Sequence, residues 1–180
     1  MKLHGKVVLV TGGSRGIGKA ISKLFVEEGA QVIITSKNIT KLEQTAKEIN
    51  CSFFIDADIK NEKEVNNSMK KIIEKFGRID ILVNNAGILP EQKKLDQINE
   101  NDWNEIIDVN LTGQFRFTKA VLPHMKKNGG SIINMSSDAG LKTFENFYAD
   151  AYVASKAAII MLTKSWALEY ASDNIRVNCI

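Results

Sequence analysis

The chain has 180 residues, 44% of them hydrophobic and 25% charged, enough for one globular domain with a sizeable core. Its 24 basic and 21 acidic residues give a net charge of +3 and are mixed along the sequence, which argues against the long basic block of a nucleic-acid or lipid surface. No apolar segment approaches the ~20 residues of a membrane-spanning helix. The two cysteines, Cys51 and Cys179, belong to no C-x-x-C or Cys/His cluster, so no metal site is expected and a reduced, cytoplasmic setting fits best.

In chain order, short apolar runs alternate with longer stretches of helical period, the pattern of βαβ units around a parallel sheet. Strands are predicted near residues 6–11, 31–35, 52–56, 79–84, 131–136 and 175–180. Several are almost continuously apolar, as strands covered on both faces should be. After the first strand, Ile17, Ile21, Leu24 and Phe25 fall at i, i+4, i+7 and i+8, which predicts a helix with that stripe toward the sheet and Gly29 at its C-terminal end. Further helices are predicted over 62–76, roughly 99–128 and 152–171, the middle stretch being two helices with Asn110 near their junction. Two prolines, no repeats and no low-complexity linker predict a single domain over residues 1–180.

The turn after the first strand carries glycines at 12, 13, 16 and 18. A strand, a glycine turn and an amphipathic helix bring free backbone N–H groups and a helix N-terminus against an anion. Gly13, Gly18 and Lys19 match the spacing of a nucleoside-triphosphatase loop, but Ala20 stands where that loop needs a Ser or Thr hydroxyl for Mg²⁺. The G-x-G-x-x-G dinucleotide fingerprint is not matched either.

Thr11, Gly12, Gly16 and Gly18 do follow the pattern Thr-Gly-x-x-x-Gly-x-Gly, which resembles the cofactor motif of the short-chain dehydrogenase/reductase family. The other marks of that family occur in order: Asp58 after the third strand, Asn84 to Gly87 after the fourth, Asn110 between helices, Ser137 after the fifth, then Tyr152 and Lys156. The resemblance covers essentially the whole chain and leans toward 3-oxoacyl-carrier-protein reductases or sugar and alcohol dehydrogenases. It implies an α/β, Rossmann-like, doubly wound parallel sheet in three layers, with about six strands present here.

The resemblance also implies a cofactor site. Gly12, Ser14, Arg15, Gly16, Ile17 and Gly18 would hold the diphosphate region, Asp58 and Ile59 the adenine, and Asn85, Ala86 and Gly87 the adenine ribose. In this family an acidic residue at the end of the second strand selects NAD. Here Ser36 stands in its place, followed by Lys37, with Arg15 as a second cation, so NADP(H) is expected to be preferred and NAD(H) possible.

Tyr152 and Lys156 are i and i+4 on a predicted helix, hence neighbours on one face. A free phenol ionises near pH 10, and a neighbouring ammonium favours its charged form. By resemblance, Tyr152 would exchange a proton with the oxygen of a carbonyl or alcohol substrate and Ser137 would hydrogen-bond that oxygen. Lys156 would also bind the nicotinamide ribose, and Asn110 would anchor a water leading protons to Lys156. Ser136 is passed over for Ser137 because the family pattern places the hydroxyl immediately before a short run ending in glycine, here Asp138 to Gly140. Tyr148 is read as packing or pocket lining.

The predicted partners are a small-molecule substrate and further copies of the chain, as a homodimer or homotetramer through the helices near 100–128 and 152–171, with no nucleic acid and no membrane. The segment 141–150 is slightly long for the family. The chain stops in the sixth strand, before the family's nicotinamide-contacting loop, substrate lid and last strand. This leaves an alternative reading as a catalytically silent NADP-binding or scaffold protein, or a fragment of a longer reductase.

Overall fold

The computed structural model describes residues Met1–Ile180. Six strands form one parallel sheet: β1 (Val7–Thr11), β2 (Gln31–Ser36), β3 (Phe53–Asp56), β4 (Ile81–Asn84), β5 (Gly130–Asn134) and β6 (Ile175–Cys179), in the order β3-β2-β1-β4-β5-β6. The helices are α1 (Gly16–Glu27), α2 (Ile39–Glu48), α3 (Glu62–Phe76), α4 (Glu100–Ile107), α5 (Gly113–Met125) and α6 (Asp150–Glu169).

Strand side chains alternate between two layers. Val7 and Leu9 point into the larger core with Val65 and Ile72 of α3, Phe117 and Val121 of α5 and Trp166 of α6. Val8, Val10, Val32 and Ile34 point the other way, onto Leu42 and Ala46 of α2, with Ile21 and Phe25 of α1 packed alongside. Burial of both faces explains why these strands lack the polar alternation of a half-exposed sheet.

All six strands lie where the sequence places them, with shifted ends. β4 begins at Ile81 rather than residue 79, and just before it the buried carboxylate of Asp80 accepts the Val7 backbone N–H at 2.8 Å. The stretch near 99–128 is two helices, joined through a π-helical turn at Asp108–Thr112 that contains Asn110.

Two expectations need correction. Helix α2 was not predicted, although Asn38 caps it by accepting from Lys41 N at 3.0 Å. Its buried stripe consists of Leu42, Thr45 and Ala46, too short and too weakly apolar to stand out as a period. In α1 only half of the expected stripe faces the sheet: Ile21 and Phe25 pack there, while Ile17 is 63% exposed and Leu24 55%. Gly18 and Ser22 are buried instead, and Ser22 Oγ donates to Gly18 O at 2.7 Å. The buried face is turned by roughly 65° from the one hydrophobicity alone suggests, so Ile21 and Phe25 stay inside and Ile17 and Leu24 do not.

Candidate functional site

Strand order reverses between β1 and β4, and open parallel sheets bind ligands beyond the carboxyl ends of their strands at such a switch point. A crevice of ≈ 700 Å³ lies there. Its lining includes Gly12, Ser14, Arg15, Gly16, Ile17, Gly18, Ser36, Lys37, Asp58, Ile59, Asn85, Ala86 and Gly87, the residues expected at a cofactor site apart from Tyr152 and Lys156.

The turn's glycines answer to space and to backbone geometry. Gly12 has φ +66°, and a Cβ there would come within 2.9 Å of Ala86 Cα. A Cβ on Gly18 would lie 2.4 Å from both Asn85 Nδ2 and Gly12 O, so any side chain would push α1 away from the turn. Thr11 and Asn85 lock this arrangement. The buried Thr11 hydroxyl accepts from Asn85 N and Ala86 N, each at 3.0 Å, and Asn85 Nδ2 donates to Thr11 O at 2.9 Å. Thr11→Val leaves two N–H groups without their acceptor and is expected to lower stability by about 1–3 kcal/mol, read as a shift in the urea unfolding midpoint.

Asn38, Asn61 and Asn99 cap α2, α3 and α4 with their side chains. Helix α1 has no side-chain cap and no acidic residue in its first turn, so its N–H groups and positive dipole end face the crevice unneutralised. This is the chemistry of a phosphate cradle.

At the far end of the β2 side, Ser14 Oγ donates to Ser36 Oγ at 3.0 Å, and Thr45 of α2 donates to Ser14 O at 2.8 Å. The hydroxyl pair is flanked by Arg15, Lys37 and Lys41, all lining the crevice. Lys41 was missed from sequence because its helix was missed. Asp58 closes the adjoining wall, its Oδ1 accepting from Lys60 N at 2.9 Å.

Ser137, Tyr152 and Lys156 follow β5 in the chain. Lys156 is only 5% exposed. Its Nζ donates to Met135 O at 2.7 Å and stands 5.5 Å from the centroid of the Tyr152 ring. Burial pulls the lysine down from its ordinary 10.5 to about 8, since removal from water disfavours the charged form. A Cβ placed on Gly87 would be 3.8 Å from Lys156 Nζ and 3.2 Å from Asn110 Oδ1, so the crevice and the lysine meet at Gly87.

Asn110 is fully buried. Its Oδ1 accepts from Ile88 N and its Nδ2 donates to Ile88 O, both at 2.8 Å. Its side chain therefore clamps the segment after β4. Ser137 Oγ accepts from Ala139 N at 3.1 Å and lies 3.2 Å from Asp138 Oδ1. Ser136 donates to Lys156 O at 2.8 Å, tying the end of β5 to α6.

Gln114 was not anticipated. It is wholly buried, and its Nε2 donates at 3.3 Å to Met135 O, the carbonyl that also holds Lys156. A polar residue on a stripe that otherwise buries Phe117, Thr118 and Val121 was the available signal. Tyr148 lines a separate cavity of ≈ 220 Å³ with Trp103 and Ile106.

The strand order and the crevice at its reversal define a Rossmann-type α/β protein. Residues 6–180 match the short chain dehydrogenase family, and the chain belongs to that family of oxidoreductases. It is 42% identical to the 3-oxoacyl-(acyl-carrier-protein) reductase FabG of Thermotoga maritima, over all of this chain and 74% of that protein. It is 39% identical to the L-fucose dehydrogenase of Bos taurus, over 98% of this chain and 64% of that protein. Among solved structures, gox2181 superposes with a TM-score of 0.96 at 32% identity, over 99% of this chain and 71% of that one. A short chain dehydrogenase from Mycobacterium smegmatis gives 0.93 at 30% identity, over 99% and 76%. The chain thus spans between 64% and 76% of the length of these four proteins. No helix is long and apolar enough to cross a membrane.

Proposed function

We propose that the chain is an NADP(H)-dependent oxidoreductase that interconverts a carbonyl compound and its alcohol. The observation that carries this reading is the buried Lys156 ammonium set between the Met135 carbonyl and the Tyr152 ring, where the glycine-lined crevice ends at Gly87.

The crevice residues fit a dinucleotide. The uncapped first turn of α1, with Gly12, Ser14, Gly16, Ile17 and Gly18 around it, would hold the diphosphate. Asp58 and Ile59 would bound the adenine, and Asn85, Ala86 and Gly87 the adenine ribose. Ser36, with the cations Arg15, Lys37 and Lys41, would receive a 2′-phosphate through charge-assisted hydrogen bonds. When bound, the nicotinamide supplies or accepts the hydride.

The chain's own residues handle the proton and the oxygen. Tyr152 Oη gives its proton to the carbonyl oxygen during reduction and takes it back during oxidation. Ser137 Oγ donates to the same oxygen and stabilises the charge that develops there. Lys156 places a cation beside the phenol and reaches the nicotinamide ribose, and Asn110 keeps the segment through Gly87 and Ile88 in place beneath it. Residues 1–180 form one dinucleotide-binding unit with these groups built in. Exposed apolar side chains on α5 and α6, among them Phe115, Met161 and Leu168, suit pairing of copies into a homodimer or homotetramer.

NADPH oxidation by the chain with a panel of ketones, beside a fluorescence titration of NADPH, tests the reading; binding without turnover of any ketone contradicts it. Cofactor choice has its own test. Lys41→Glu is expected to weaken NADPH binding by ~10-fold or more, the size of one charge-assisted hydrogen bond. NADH affinity should not fall, and an equal loss for both nucleotides would remove Lys41 from the phosphate site.

A further inference from the structure

Residues 141–149 run between Ser137 and Tyr152 along the outer side of the site. The segment is pinned at both ends, by Leu141 N donating to Asp138 O at 2.9 Å and Lys93 N donating to Tyr148 O at 3.0 Å. Tyr148 N also donates to Gln92 Oε1 at 3.2 Å. The backbone of this wall is therefore tied at both ends to the rest of the fold.

That wall is aromatic where it meets the catalytic tyrosine. Phe144 and Phe147 pack edge to face, with centroids 6.2 Å apart and planes at 80°. Phe147 and Tyr152 repeat the arrangement at 6.3 Å and 77°. The three rings make one continuous run from solvent to the phenol, and its outer member, Phe144, is 40% exposed although nothing in the fold packs it away.

A site that selects a polyhydroxylated substrate sets hydrogen-bonding side chains around it, since unmet polar groups are what reject the wrong ligand. Here Lys142 and Asn146 are engaged with the wall's own rings, and Thr143 and Glu145 are exposed. Asn146 Oδ1 accepts from Tyr148 Oη at 3.3 Å, and Lys142 Nζ lies over the Phe144 ring at 4.9 Å. The wall meets Tyr152 through the ring of Phe147, and ring surface favours offset or edge-to-face contact with another ring.

Resting on the oxidoreductase reading above, we propose that the substrate carries an apolar ring, aryl or alicyclic, next to its carbonyl group, and that Phe144 and Phe147 seat this ring while Tyr152 meets the oxygen. Phe147 fixes the distance between ring and carbonyl because it touches the Tyr152 ring directly.

The test uses the full chain with three probes: acetophenone and 2-butanone, each with NADPH, and L-fucose with NADP⁺. Ligand binding is followed by saturation-transfer NMR and turnover by NADPH oxidation or formation. Acetophenone should show its strongest transfer at the phenyl protons, and its kcat/KM should exceed that of butanone by ~10-fold or more. Phe147→Ala should lower the acetophenone-to-butanone ratio by a similar factor. Phe147→Leu, which keeps an apolar side chain without the ring face, should lower it in the same direction and guards against a folding defect. Acetophenone that binds through its ring and loses this contact in both variants, with no turnover of any probe, supports the aromatic seat and overturns the oxidoreductase reading. Turnover of butanone or L-fucose equal to or better than acetophenone overturns the seat and leaves that reading standing. Failure of acetophenone to bind, or binding unaltered by either substitution, also overturns the seat.

Discussion

Tyr152→Phe is expected to lower ketone-dependent NADPH oxidation by at least ~10²-fold, the lower range for removing a positioned general acid, while NADPH affinity stays within about twofold. The substitution deletes one oxygen and little else. The ring keeps its edge contact with Phe147, at 6.3 Å between centroids, and its place under Lys156 Nζ, 5.5 Å from the ring centre. The nucleotide crevice lies mainly along β1, β2 and β4, away from this hydroxyl. Turnover measured beside a fluorescence titration separates the two effects. Retained turnover removes Tyr152 from the chemistry, whereas loss of turnover together with loss of binding marks a wider defect.

The second large effect is on stability. Lys156→Met is expected to make the nucleotide-free protein more stable at pH 7 by about 2 kcal/mol while abolishing its activity. Burial lowers Lys156 from 10.5 to about 8, and at 1.36 kcal/mol per unit this amounts to about 3 kcal/mol of destabilisation while the amine is charged in both states. The hydrogen bond to Met135 O, at 2.7 Å, offsets about 1 kcal/mol of that when it is lost, and Gln114 continues to satisfy the same carbonyl. Between about pH 8 and 10.5 the unfolded chain binds more protons at this residue than the folded one, so the native chain should gain stability as pH rises through that window. The methionine variant should lack this rise. Urea unfolding of both proteins at pH 7 and pH 9.5 measures it, and a destabilised variant would mean that the ammonium strengthens the fold.

A cation kept in place at this cost is the expected mark of a group selected for chemistry. The cost also explains the surrounding polar construction. Met135 O, Gln114, Asn110 and the Ser136 hydroxyl each satisfy or brace the elements that meet at Lys156.

Much of the sheet was legible because its strands are buried on both faces, so Val7–Val10 and Ile81–Val83 read as continuous apolar runs. The glycine turn was legible because backbone crowding, such as that of Gly18 against Asn85 and Gly12, leaves a mark in residue type. Hydrophobicity placed Ile21 and Phe25 of α1 correctly but not Ile17 and Leu24, because the close approach of Gly18 and the buried Ser22 hydroxyl turn that helix. Helix α2 escaped because Thr45 and Ala46 do on its buried face what larger aliphatics do elsewhere, and Lys41 escaped with it. The motifs placed the site residues in the chain but did not show that Asn110 clamps Ile88 or that Ser136 ties β5 to α6. Those roles depend on partners 22 and 20 residues away.

A crystal structure of the full chain grown with NADPH tests the central claim most directly. The diphosphate should lie within hydrogen-bonding distance of the backbone N–H groups opening α1, with the 2′-phosphate among Arg15, Lys37 and Lys41 and the nicotinamide beside Tyr152 and Lys156. Nucleotide bound elsewhere, or Tyr152 Oη turned away from the nicotinamide, would contradict the account.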